Sequence, residues 1–391
     1  MVDIAQIRKD IPHYGNKVFL NSAGSSMMPS SVVQKINYYL HEEEKIGGYK
    51  VADVNANEIA DFYKQAAKLI SCSPRNIAFT NSATDAYIKA LSSIHFKKND
   101  VIITTDDDYS SNHIQFISLR KRFDIKIIRI KNLENGDLDI ADFQKLVKKH
   151  TPKLVAVTHI PTNSGLIQNI EAIGEICHQK QIIFLLDACQ SVGQLNVDIN
   201  KIKCDFLTTT GRKFLRGPRG TGFLFVSDRL LEENFSPLMI DGGGAVWKGV
   251  DHFEMLKTAK RFETWEVPLA LLMGLKEAIN YANLIGLEHI QEYNEKLMLH
   301  LRKNLSGIAG VNLYDKGSET GSILTFRKEG KSLEKVTKSL EENNVYFSIS
   351  QTEWGLIDFN KKGIDWVVRL SPHYFNTTEE MDKVSEIIKQ I

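Results

Sequence analysis

Seven short apolar runs, separated by stretches with helical spacing, constrain this chain more than any other feature. They are NIAFT (76–80), VIITT (101–105), IKIIRI (125–130), KLVAVTH (153–159), IIFLLD (182–187), CDFLTT (204–209) and GFLFV (222–226). Several are apolar at consecutive positions, which suits strands covered by helices on both faces. Between them, residues 83–94 put Ala83, Tyr87, Ala90, Leu91 and Ile94 on one stripe, and 140–149 and 168–179 also read as helix. The pattern predicts an α/β fold whose large domain has a mostly parallel seven-stranded sheet between helices. GFLFV follows its predecessor too closely for a crossover helix and is expected as an antiparallel partner.

After about residue 265 the rhythm changes. A long helical region, LALLMGLKEAINYANLIGLEHIQEYNEKLMLHLRKNL, breaks near Gly286; SILTF, VYFSIS and WVVRLS then alternate with helices near 331–343 and 377–390. This predicts a smaller α+β domain at 263–391, a large domain at 21–262, and a segment 1–20 packing with the small domain. A chain of 391 residues is long for a single core, which also favours two domains. The 49 basic and 48 acidic residues leave a net charge of +1, against a nucleic-acid partner. No run reaches the roughly 18 apolar residues of a membrane span, and MVDIAQIRKD has no apolar signal core. The 4 cysteines, Cys72, Cys177, Cys189 and Cys204, have no zinc-ligand spacing, so no metal is expected and a reducing, cytoplasmic location is.

Ligands of open α/β sheets bind beyond the carboxyl ends of strands, and those ends carry a particular set of groups. Ser82 and Thr84 offer hydroxyls, and the N–H groups of Ala83 and Thr84 open a helix, an anion site unless Ser82 is merely its cap. Tyr109 can stack on a flat ligand or lie on the surface. His159, Thr162 and Asn163 can bind a ligand or form a turn. Asp187 closes an apolar run, where a carboxylate needs a cationic partner, and Gln190 follows nearly one helical turn later. Lys213 comes after Thr208, Thr209, Thr210 and Arg212. An anion cradle, an aromatic face, a carboxylate and a lysine together describe a site for pyridoxal 5'-phosphate. Asp187 would keep the pyridine nitrogen protonated, and Lys213 would form a Schiff base and move the Cα proton.

Nearly the whole chain, from VFLNSAGSSMMP (18–29) to WVVRLSPHYFNTTEEMDKV (366–384), resembles the class V aminotransferase and cysteine desulfurase-like family of fold-type I pyridoxal-phosphate enzymes. DACQSVGQLNVDI joined to CDFLTTTGRKFLRGPRGTGFLFV carries the likeness, and its details are closest to lyase-like and epimerase-like members. The resemblance implies that Ser82, Ala83, Thr84, Thr210 and Arg212 hold phosphate, Arg212 standing where a histidine is usual. It places Tyr109 over the ring in place of a histidine, Asp187 at the ring nitrogen, and Gln190 with Thr162 or Asn163 at the ring hydroxyl. It also implies that Thr264 reaches the neighbouring subunit's phosphate, hence a homodimer with shared sites. Arg369 would clamp the substrate α-carboxylate, with Asn21 and Ser22 lining the same space. Arg216 and Arg219 are expected either to bind a second anionic group of the substrate or to make ion pairs within the RGPRG turn.

Persulfide-forming desulfurases of this family need a nucleophilic cysteine near the small domain, and no cysteine follows Cys204. The expected reaction is therefore carbon–sulfur β-lysis of a cysteine conjugate or sulfoxide, ahead of transamination and then epimerisation. A non-catalytic cofactor-binding regulator is disfavoured, because Lys213 and Asp187 are both retained.

Overall fold

The computed structural model describes residues 2–391. A two-residue strand, β1 (Val18–Phe19), precedes the large sheet. That sheet contains β2 (Ile77–Thr80), β3 (Val101–Thr104), β4 (Lys126–Arg129), β5 (Leu154–Thr158), β6 (Ile183–Asp187), β7 (Phe206–Thr210) and β8 (Gly222–Val226). Their spatial order is β2-β8-β7-β6-β5-β3-β4. β8 runs antiparallel to both its neighbours, and the remaining pairs are parallel. β2, β3 and β5 to β8 are buried at every position, which explains their unbroken apolar runs. β4, at the sheet edge, is partly exposed.

A hairpin absent from the sequence reading follows: β9 (Ala245–Gly249) pairs antiparallel with β10 (His252–Met255). It stands out from the body, with Trp247 77% and Val250 88% exposed. The small sheet comprises β11 (Val311–Leu313), β12 (Leu324–Lys328), β14 (Ser348–Gln351) and β15 (Trp366–Leu370), in the order β11-β12-β15-β14. β13 (Val345–Tyr346) pairs in parallel with β1. The amino-terminal segment is tied further to the carboxy-terminal helix, Thr378–Gln390, by Arg8 Nη2 and Tyr14 Oη, which bond Glu380 Oε1 at 2.5 and 2.8 Å.

The long helical region is two helices, Leu269–Ile285 and Leu287–Ser306, separated by Gly286 at φ +91°, a conformation that favours glycine. The first packs on helices Ser30–Ile46 and Ala56–Leu69 of the large unit. Its buried residues, including Leu272, Met273, Leu275 and Ile279, share a core with Phe62, Phe79 and Leu207. Helix Leu269–Ile285 thus packs on the large unit although it follows residue 263. The small unit has its own core, including Leu297, Leu301, Phe326, Val368 and Val384. Charged groups cross between the units: Lys316 Nζ lies 2.6 Å from Asp107 Oδ1, just past β3, and 2.9 Å from Asp358 Oδ1. Among the described residues no helix is long and apolar enough to cross a membrane.

Candidate active site

The ends of β2, β3, β5, β6 and β7 converge on one pocket. Its lining includes Ser82, Thr84, Tyr109, Thr162, Asp187, Gln190 and Lys213, from five separate stretches of chain. Parallel strands make this possible, because their carboxyl ends all open on the same side.

Helix Ala83–Ser92 begins at the pocket wall, with Ser82 as its cap: Ser82 Oγ accepts from the Asp85 N–H at 3.1 Å. Ala83 and Thr84 also line the pocket, at a helix end where partial positive charge collects. The Ser82 cap therefore leaves the helix end at Ala83 and Thr84 open to the pocket. Gly222 packs under this turn. A Cβ there would meet the Thr209 carbonyl oxygen at 2.3 Å and the Ala83 nitrogen at 3.3 Å, so a larger residue would displace the cradle. Thr210 Oγ1 donates to the Thr221 carbonyl at 3.3 Å and faces the same space.

Asp187, 5% exposed at the end of β6, is held at both oxygens. Oδ1 accepts the Cys189 N–H at 3.0 Å, and Oδ2 accepts Asn112 Nδ2 at 3.1 Å. Asn112 lies one turn into helix Ser110–Phe123, of which Tyr109 is the cap residue. The Tyr109 ring centroid is 6.0 Å from Lys213 Nζ. Burial pushes the Lys213 pKa down; Cys189 and Asp187 oppose that shift, and the charges of Arg212 and Arg369 add to it. The amine is thus easier to deprotonate than an exposed lysine.

Gln190 Nε2 donates to Thr162 Oγ1 at 3.2 Å and to the Ala23 carbonyl at 3.3 Å, while its Oε1 is buried without a partner. The sequence leaves Thr162 and Asn163 open. Thr162 lines the pocket, whereas Asn163 Nδ2 turns to the Trp354 carbonyl at 3.4 Å.

Arg369, on β15, is 6% exposed, and its Nε has no partner. Burial and the nearby charge of Arg212 push it down to about 10, still protonated at neutral pH. Asn21 pairs with Ser371 next to this strand and keeps a buried, unpartnered Oδ1. Ser22 is fully buried, with its Oγ 3.2 Å from that of Ser26.

The structure corrects the expectation for Arg216. It is wholly buried, its Nε donates to the Met27 carbonyl at 2.9 Å, and its guanidinium carbon lies 4.9 Å from the ring centroids of both Tyr374 and Phe375. It neither lines the pocket nor pairs with an acid among the described residues; aromatic faces compensate its charge. Arg219 is exposed on the turn. Thr264 is also exposed, in a loop, with Oγ1 donating to the Glu266 carbonyl at 3.1 Å, and it does not line its own chain's pocket.

Four pocket residues escaped the sequence reading: Tyr87, Asn112, Thr158 and Cys189. Asn112 carried a weak signal, three residues after Tyr109 at the start of a helix. Thr158 is the last residue of β5; its Oγ1 donates to Asp108 Oδ1 at 2.7 Å, fixing the turn before Tyr109.

A lysine amine and an arginine, a held carboxylate, a helix end open to the pocket and unpartnered buried amide oxygens form a donor set that fits pyridoxal phosphate. A family model for aminotransferase class-V matches residues 18–384. The chain is 29% identical over 392 residues to a "Probable cysteine desulfurase" of Methanothermobacter thermautotrophicus, covering 98% of this chain and 97% of the relative. It is 28% identical to a protein of the same description from Pyrococcus abyssi, covering 98% and 96%. An apo cysteine desulfurase structure from Thermococcus onnurineus NA1 superposes with a TM-score of 0.91 at 26% identity, covering 99% of this chain and 97% of that one. The structure of the cystine C–S lyase C-DES with its product cysteine persulfide gives a TM-score of 0.86 at 20% identity, covering 97% and 99%. At that identity it shows the fold alone.

Proposed function

The chain belongs to the aminotransferase class-V family of pyridoxal-phosphate enzymes, and from that premise we propose that it cleaves the carbon–sulfur bond of cysteine or an S-substituted cysteine. The observation that carries the choice of reaction is the placement of its thiols. Cys72, Cys177 and Cys204 lie outside the pocket. Cys189 lies inside it, but beside Asp187, and burial pushes its pKa well up. A neutral thiol at the carboxylate end of the pocket is a poor sulfur acceptor. Sulfur is therefore released rather than captured by the enzyme.

When bound, pyridoxal phosphate supplies an aldehyde for the substrate amine and a protonated ring that withdraws electrons. Ser82, Ala83, Thr84 and Thr210 would hold its phosphate, Asp187 its ring nitrogen, Gln190 and Thr162 its ring hydroxyl, and Lys213 its aldehyde carbon. Asn112 and the Cys189 N–H keep Asp187 aligned. Tyr109 covers one side of the site, and Arg369 holds the substrate α-carboxylate. The Lys213 amine takes the Cα proton. The electron pair of that C–H bond becomes a Cα–Cβ double bond as the Cβ–S bond breaks and the thiolate leaves, to be protonated. Hydrolysis of the released 2-aminoacrylate consumes one water and yields pyruvate and ammonium, with no oxidant or reductant.

The descriptions of the relatives favour a second reading, desulfuration of cysteine itself, in which the amino-acid product is alanine. Purified holoprotein offered cysteine and its S-conjugates decides the matter. Pyruvate stoichiometric with thiol, and no requirement for a keto acid, is the expected result. Alanine would establish desulfuration, and turnover that stops when a keto acid is withheld would establish transamination.

The working unit is a homodimer with shared sites. Thr264 is exposed and does not line its own pocket. Its neighbour Trp265 is exposed, and the segment 238–253, whose Gly243 packs against Thr264, carries exposed Leu238, Met239, Trp247, Val250 and Phe253, all of these 51–88% exposed. A monomer rarely leaves so much apolar surface in one region. Four unpaired cysteines suit a reducing, cytoplasmic location.

A further inference from the structure

A second substrate-facing arginine was expected at Arg216 or Arg219, but the arginine in the pocket is Arg212, beside Lys213, Tyr109, Thr162 and Gln190. Building on the lyase reading, we propose that Arg212 is a specificity-determining residue that binds a second carboxylate, carried on the sulfur substituent of the substrate.

The tether of Arg212 sets the direction. Its Nη1 donates to the carbonyl of Gly24. Gly24 belongs to the strip 21–26, which is bonded to the end of the strand that carries Arg369. The Ser22 N–H donates to the Ser371 carbonyl at 3.1 Å, and the Ala23 N–H donates to Ser371 Oγ at 3.0 Å. The guanidinium is thus fastened to the wall on which Arg369 stands. The helix terminus at Ala83, with Thr84 and Thr210, lines the same pocket and offers N–H and hydroxyl donors for a phosphate without Arg212, which the resemblance had placed there.

Charge gives the second argument. Among the described residues neither Arg212 nor Arg369 forms an ion pair with a carboxylate of the chain. The two guanidinium groups repel each other, and the Lys213 amine faces both charges. Arg212 lines the pocket and Arg369 is buried on β15 outside that lining; two unpaired cations, both withdrawn from water in part or whole, are unfavourable until anions arrive. An α-carboxylate answers Arg369, and Arg212 then remains for an anion further along the substrate. A guanidinium presents a planar fork to a carboxylate, which an uncharged amide cannot match. Around Arg369 the wall is polar as well: Ser348 is paired opposite it, Ser350 lies two residues on, and both hydroxyls are buried without partners.

The test compares S-carboxymethylcysteine with S-carbamoylmethylcysteine, which have nearly the same shape and differ in charge. The wild-type holoenzyme is expected to favour the carboxylate in kcat/KM on the order of ten- to a hundredfold, as for a charge-assisted hydrogen bond. In R212Q the ratio should fall to near one, while R212K keeps part of it. A wild-type ratio near one overturns the proposal. So does an equal loss for both conjugates in R212Q with weakened cofactor binding, which would put Arg212 on the phosphate. Dissociation constants from the cofactor's absorbance change separate this proposal from the lyase reading. A binding preference for the carboxylate without thiol release sinks the lyase reading and sustains the role of Arg212. If R212Q does not fold, the wild-type ratio and R212K decide.

Discussion

Asn112 Nδ2 donates to Asp187 Oδ2 across the pocket at 3.1 Å, so a residue on the helix after β3 orients a carboxylate at the end of β6. Asp187 is expected to set the electronics of the cofactor ring rather than to hold the fold. D187A should fold and lose Cα–H exchange by about a hundredfold or more, the scale of a removed electrostatic stabiliser. N112A should lose about tenfold, the scale of one hydrogen bond to a charged group. Exchange of the substrate Cα proton in D₂O measures both, and wild-type exchange in D187A would reject the assignment.

Lys213 should carry the cofactor covalently. The holoprotein is expected to absorb at roughly 410–430 nm, as such attachments do. Borohydride should fix the cofactor to the peptide containing Lys213, and mass mapping to any other lysine contradicts the site. K213A should keep its fold and lose turnover, since a buried amine with a lowered pKa is also the proton carrier.

The dimer is tested by mass and by cofactor affinity together. Sedimentation at low micromolar concentration should give about twice 44.3 kDa. If the sites are shared as proposed, T264A should raise the cofactor dissociation constant about tenfold, the scale of one lost hydrogen bond to a charged group. A fully active monomer would refute the shared site.

The sheet was legible because buried strands need unbroken apolar runs, and the antiparallel β8 because its connection is too short for a crossover. The hairpin Ala245–Met255 was not legible. Its apolar residues, such as Trp247 and Phe253, face outward, so they give no inward-facing alternation. Asp187 and Lys213 could be read because each terminates or follows a strand. Asn112 could not, because its partner lies 75 residues away and only the fold joins them. Arg216 read as either a ligand arginine or an ion-paired arginine of the RGPRG turn. Nothing near it in sequence reveals that Tyr281, Tyr374 and Phe375 close over it.

His373 and His159 should make the protein sensitive to acid. Burial lowers both pKa values, that of His159 to about 3, and the charge of Arg216 lowers His373 further. His373 Nε2 lies 2.8 Å from the Phe214 carbonyl and Nδ1 lies 3.1 Å from Asn294 Nδ2, a pattern that suits only the neutral ring. A depressed folded pKa contributes stability above the unfolded value of about 6.5, and that contribution is lost as pH falls toward the folded one. His159 should cost about 2 kcal/mol between pH 7.5 and 5, and His373 should act in the same direction. Urea unfolding of H159N and H373N should show a shallower pH dependence than wild type, and identical slopes would disprove the linkage.

Arg369 should act on every amino-acid substrate alike. Among the described residues it is buried on β15 with no acidic partner, and its Nε makes no bond, so a substrate carboxylate is the partner expected to compensate it. Because a misplaced carboxylate also swings the Cα–H bond away from Lys213, the loss should appear in both KM and kcat. R369A should lower kcat/KM about a hundredfold or more, as expected when a bidentate charged pair is removed. R369K should recover only part of this, since an ammonium lacks the planar fork. Neutral amines without a carboxylate should be processed equally slowly by wild type and R369A, which separates carboxylate recognition from damage to the sheet. If R369A instead harmed these amines as much as the amino acids, Arg369 would be a support for β15 and not the clamp.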